Sequence, residues 1–115
     1  MRVLCLCFDG KFQVQEIDES NTSSALRSRV GGWLEHLQVT PDVHMWLNEE
    51  GKLLGLPRNE LATSLCQLME RPIAETDFIA GSVVFTGLDE QGCTVSCPQS
   101  WIDGLSLNFP QHFVC

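Results

Sequence analysis

Asn48-Glu49-Glu50-Gly51-Lys52, followed closely by Arg58 and Asn59, gathers both charge signs and two amides on one turn and its exit. That set suits a small polar ligand. Arg58 offers a planar fork to a phosphate or carboxylate, Asn48 and Asn59 match a base or ribose edge, and Glu49 and Lys52 complete a rim. The same run also suits a solvated turn, with Gly51 at positive φ and the charges hydrated. Gly31-Gly32-Trp33 is equally double-edged: its glycines either bring backbone N–H groups to a phosphate or merely end a helix, whose C-terminus favours cations. Trp33, Trp46 and Trp101 are stacking faces for a base, or core residues at alternating strand positions. The candidate ligand set is therefore Gly32, Trp33, Trp46, Asn48, Glu49, Lys52, Arg58 and Asn59.

Catalysis and metal binding find less support. No carboxylate pair shares a helix face with a histidine, and no P-loop, Ser-His-Asp elbow or His-Glu-x-x-His run is present, so the expectation is a non-enzyme without a cofactor. His36 and His44 would face each other across a hairpin at metal-binding distance, but two ligands without a fixed third leave a metal site the weaker reading. Cys93-x3-Cys97 and Cys5-x-Cys7 lack the two-plus-two spacing of zinc ribbons, even with His36, His44 or His112 added. Together with Cys66 and Cys115 they are expected to be reduced, buried thiols.

Period and punctuation supply the elements that must position these residues. Arg2 to Phe8 is a nearly continuous apolar run, Asp9-Gly10 turns the chain, and Lys11 to Ile17 alternates; together they predict a hairpin. Asn21-Thr22-Ser23-Ser24 caps a short helix carrying Leu26 and Val30, and Gly31 stops it. Trp33 to Val39 and Val43 to Leu47 form a second hairpin around Thr40-Pro41-Asp42, with Trp33, Leu37 and Val39 on one face and Glu35 between them. Leu53 to Pro57 is a short apolar segment, and Asn59 caps a helix reaching Met69 before Arg71-Pro72. A long strand from Asp77 to Thr86 follows, with Ile79, Val83 and Phe85 on one face and Gly81 at a bulge. Asp89 to Gly92 turns into a short strand from Cys93 to Val95, and Pro98 opens a helix bearing Trp101, Ile102 and Leu105. The expected architecture is one compact α+β domain: a mainly antiparallel sheet of hairpins with two or three short helices.

Composition narrows the partners. The 115 residues carry 15 acidic against 7 basic side chains, a formal charge of -8 that repels a phosphate backbone, so direct duplex nucleic acid binding is not expected. Arg27, Arg29, Arg58 and Arg71 remain to neutralise a single ligand phosphate. No run is long and apolar enough to span a bilayer and no secretory h-region opens the chain, so the expectation is a cytoplasmic protein without membrane contact. A chain this small buries only about 65% of its unfolded surface. With three tryptophans and six phenylalanines to hide, a homo-oligomer is expected, formed through the apolar tail from Asn108 to Cys115.

Val30-Gly31-Gly32-Trp33-Leu34-Glu35, the run from Asn48 to Asn59 reading NEEGKLLGLPRN, and Asp77-Phe78-Ile79-Ala80-Gly81 occur in that order. The arrangement resembles a family of small phage, plasmid and actinobacterial proteins of unknown function, over about residues 15 to 105. The Cys-rich tail after Gly92 and the helical stretch from Leu61 to Met69 depart from that pattern. Members of that family often lie near antirestriction-type genes. The resemblance implies a non-catalytic viral protein that sequesters a small nucleotide-type ligand, such as a host immune signal. The charge of -8 supports the alternative, an acidic protein that inhibits a host DNA-binding or restriction factor by nucleic-acid mimicry.

Overall fold

The computed structural model describes residues 1–69 and 72–113; Arg71, Val114 and Cys115, named above for phosphate contact, the tail and the thiols, lie outside them. Strand β1 (Arg2–Leu6) turns at Gly10 into β2 (Phe12–Glu16). Helix α1 (Thr22–Val30) ends at Gly31, whose φ of 83° lets its N–H reach Arg27 O at 2.8 Å, a left-handed cap that a β-carbon would strain. Strands β3 (Leu34–Thr40) and β4 (Val43–Asn48) follow as a hairpin, then α2 (Glu60–Gln67), β5 (Val83–Leu88), β6 (Thr94–Val95) and α3 (Gln99–Asn108).

The sheet is antiparallel throughout, in the order β2-β1-β5-β4-β3, with β6 added to β5. Strand β5 is central, and its residues from Val83 to Gly87 are buried on both faces, which explains a run of apolar residues without alternation. One face carries α1, packed through Leu26 and Val30 on Val3, Cys5 and Val84. The other carries α2 and α3, with Ala62, Cys66, Ile102 and Leu105 packed on Leu4, Leu6, Met45 and Phe85. Fully burying a side chain such as Phe85 contributes roughly 1.5–3 kcal/mol, so this larger face holds most of the core. The expected α+β architecture holds, with three helices among the described residues.

Four local expectations need correction. The strand expected from Asp77 begins only at Val83, because Gly81 takes φ of 87° and breaks the ladder, while residues 79–81 pair instead with the chain before α2. Asn59 N–H donates to Ile79 O at 2.8 Å and Gly81 N–H to Pro57 O at 2.7 Å. Gly51 does not adopt positive φ; Gly55 does. Gly51 is required for proximity, since a β-carbon there would stand 2.9 Å from Ala80 O. Cys7 and Cys93 are exposed, because β1 ends at Leu6 and Cys93 sits in the turn before β6, whereas Cys5, Cys66 and Cys97 are buried thiols. The tail is not left free of its own domain: among its described residues, half-buried Phe113 stacks on the buried Phe12 at 4.8 Å and His112 Nδ1 donates to Gly10 O at 2.7 Å.

Candidate functional site

At the end of the sheet where β4 leaves for the Glu49–Gly55 turn, a cleft of about 390 Å³ opens on the face that carries α2 and α3. Its floor is Leu37, Leu47 and Ile79; its walls are Glu49, Lys52 and Leu53 on one side and Ile73, Asp77 and Phe78 on the other, with Glu35 at the rim. Strand parity puts Glu35 here. It lies opposite Leu47 and shares its face with Leu37, which lies opposite Met45. Lys52 Nζ pairs with Asp77 Oδ1, and Asp77 also accepts from Phe78 N–H at 2.8 Å. The bond from Lys52 and then the Phe78 amide hold the Asp77 carboxyl below the usual carboxylate range. With its one lysine paired, the cleft presents Glu35 and Glu49 above an apolar floor, and neither carboxylate has an ion-pair partner among the described residues.

Of the eight residues expected to bind a ligand, Asn48, Glu49 and Lys52 line this cleft and the other five do not. Asn48 is buried and its amide is spent: Nδ2 donates to Val30 O at 3.3 Å and Oδ1 accepts from Glu50 N–H at 2.8 Å. Asn59 is fully buried, its Nδ2 bonded to Leu6 O and Gly81 O and its Oδ1 capping α2 through Ala62 N–H. Both Asn59 N–H groups are thus committed to backbone carbonyls. Arg58 pairs with Glu60 at 2.9 Å and stands over the Phe78 ring, outside the cleft lining. Trp46 lies on the opposite face, its indole N–H given to Thr86 Oγ1 at 2.8 Å. Gly32 packs against Asn48, and Trp33 is 60% exposed under the Arg27 guanidinium at 4.0 Å. The hairpin does bring Trp33 to the turn, since Glu49 N–H donates to Trp33 O at 2.8 Å, but Trp33 is not one of the residues that line the cleft.

The comparison that decides kinship is a family model, DUF3846, a domain of unknown function, which matches residues 1–109. The chain belongs to the DUF3846 family. No curated protein and no solved structure matches this DUF3846 chain. The match covers both hairpins, the cleft and α3, a wider span than the motif resemblance drawn from residues 15 to 105.

Sequence reasoning missed Glu35, Ile73 and Phe78 in this DUF3846 domain as cleft residues. For Glu35 the signal was present: a carboxylate at the same strand parity as Leu37 and Val39 faces a core side and needs a reason to be there. Ile73 and Phe78 carried no such signal, because the segment that holds them is placed by tertiary contacts. The remaining chemistry-bearing groups lie elsewhere. His36 and His44 sit on the α1 face with ring centres 4.7 Å apart, and burial, then the neighbouring His36, holds His44 below the usual imidazole range. Burial pushes the Cys66 thiol up to about 11 and the Cys97 thiol up to about 12, which removes the thiolate nucleophile from both.

Proposed function

We propose that this DUF3846 protein is a non-catalytic interaction module whose cleft receives a cationic side chain, with adjoining apolar residues, from a partner protein. The observation that carries the reading is the cleft's composition. Glu35 and Glu49 face an apolar floor while Lys52 is neutralised by Asp77, so a lysine or arginine is attracted and a phosphate is repelled. Leu53 and Leu54 stand beside it, 88% and 59% exposed, and give the partner's apolar residues a place to land. Resemblance to mobile-element proteins makes a host DNA-binding or restriction factor, whose DNA surface is basic, the partner class to try first. The test is anisotropy of a labelled Lys/Leu amphipathic peptide at moderate salt. Binding should weaken severalfold in Glu35→Gln with Glu49→Gln, and less in Glu90→Gln with Asp103→Asn, which removes equal charge away from the cleft. Equal weakening by both pairs reduces the reading to net charge and overturns the cleft.

The nucleotide reading rests on a separate place. Arg27 covers the exposed Trp33, and Ser24, Ser28 and Gly32 line a shallow depression beside it, which supplies hydroxyls, one guanidinium and an aromatic face. A thermal-shift screen against mono-, di- and cyclic nucleotides tests it, with Arg27→Ala and Trp33→Ala as the variants that should abolish any shift.

A further inference from the structure

We propose that His36 and His44 form a binding site for a divalent transition-metal ion that prefers imidazole, such as Ni²⁺, Cu²⁺ or Zn²⁺, on the face of the sheet that carries α1. The register makes the pair. His36 lies opposite Trp46 and His44 opposite Gln38, so the two histidines are diagonal neighbours on one face, and their rings lean together until the centres are 4.7 Å apart. With metal–nitrogen bonds of about 2.0–2.1 Å, two imidazoles on one ion stand roughly 5 Å apart centre to centre. The two rings already stand close to that spacing.

A second observation points the same way. His44 Nδ1 is buried with no hydrogen-bond partner, a condition shared among the described residues only by Trp101 Nε1. Leaving a buried polar atom unmatched costs about 1–3 kcal/mol, a cost that an ion coordinated at this nitrogen would remove. No third histidine, cysteine, aspartate or glutamate joins the pair among the described residues, so water completes the coordination. A nitrogen-only pair selects Cu²⁺, Ni²⁺ and Zn²⁺ over Mg²⁺ and Ca²⁺, which take oxygen ligands. His36 is exposed at the free edge of β3, and the acidic chain draws cations towards it.

The experiment is calorimetric titration of untagged protein with Ni²⁺ after capping its accessible thiols with iodoacetamide, followed in parallel by tryptophan fluorescence. Trp46 is the built-in reporter, its ring 5.2 Å from His36 and 5.9 Å from His44. About one ion per chain should bind with quenching, His36→Asn or His44→Asn should weaken it roughly tenfold or more, and Mg²⁺ should do neither. His112→Asn, a change at a ring held by Gly10 O, should leave binding unchanged. Binding that survives in the His36→Asn, His44→Asn double variant, or is absent from the wild type, overturns the proposal.

Discussion

Asn59→Ala separates a structural amide from a ligand-reading one, because the two roles predict opposite outcomes for stability. Truncation removes the α2 cap to Ala62 N–H, about 1 kcal/mol. It also removes two buried bonds from Nδ2, to Leu6 O at 3.2 Å and Gly81 O at 3.0 Å, at about 1 kcal/mol each. The total is about 3 kcal/mol, a large share of the roughly 5–15 kcal/mol that holds a domain together. With a urea m-value of about 1.5 kcal/mol/M the unfolding midpoint should fall by about 2 M. Asn59→Ser keeps an oxygen for the cap and should lose only about 2 kcal/mol. Asn59→Asp keeps the cap but turns a second carboxylate oxygen towards the Leu6 and Gly81 carbonyls in a fully buried place, so it should be worse than alanine. Urea unfolding of the three variants by circular dichroism gives the order. An alanine variant within 1 kcal/mol of wild type, or an aspartate as mild as the serine, refutes the reasoning.

Three further outcomes follow from the same packing. Gly87→Ala should lower the melting temperature by an amount equivalent to about 1–3 kcal/mol, because its β-carbon would collide with the Ser96 carbonyl oxygen where β6 joins β5; an unchanged melt would mean that β6 is not docked there. In native protein Cys7 and Cys93 should react with a disulfide reagent at pH 8 well before Cys66 and Cys97, whose thiols are buried and pushed up to about 11 and about 12; peptide mapping of the labelled sites checks the order, and equal rates would contradict the burial. Asp77 is held below its ordinary pKa in the folded state, so its pairing stabilises the fold above about pH 4 and is lost as pH falls through the depressed value. Being partly exposed, the pair contributes at most about 1 kcal/mol, which Asp77→Asn should remove above about pH 4, so that the variant lies below wild type there and the two pH–stability curves converge in acid.

The elements readable in the sequence were those whose signals are local. Asp9-Gly10 between two apolar runs, Gly31 after Val30, and Asn59 ahead of Leu61 and Leu65 each mark a boundary through their own turn or cap chemistry. Long-range pairing was not readable. Nothing local places β5 between β1 and β4, and nothing local pairs residues 79–81 with 57–59 once Gly81 turns the chain out of the sheet. The site suffered from the same blindness. An asparagine whose amide binds backbone carbonyls and one whose amide awaits a ligand are identical in sequence, and only burial and partners distinguish the two roles at Asn48 and Asn59. Glu35 was readable by parity, because a carboxylate on the core side of a strand must sit at a rim.

The three motifs that carried the resemblance hold one another, and this explains why so few of their polar groups are free. Asn48 of the turn donates to Val30 O ahead of the double glycine, and a β-carbon on Gly32 would press on the same amide at 2.8 Å. Gly51 lies against Ala80 of the third motif, Lys52 pairs with Asp77, and Asn59 with Pro57 ties the second motif to Ile79 and Gly81. A β-carbon on Gly51 or Gly81 would meet Ala80 O or Leu56 at 2.9 Å, so the glycines are set by close approach as well as by turning. Motif residues engaged in this clasp fix the distance between the β4 turn and the Asp77–Ala80 segment, and that distance is the width of the cleft. On the proposed reading, binding specificity would rest with the side chains that the clasp does not consume: Glu35 and Glu49 at the rim, Phe78 on the wall and Leu53 and Leu54 beside it. If the cleft binds as proposed, two chains that share all three motifs and keep the clasp would take different partners through those positions alone.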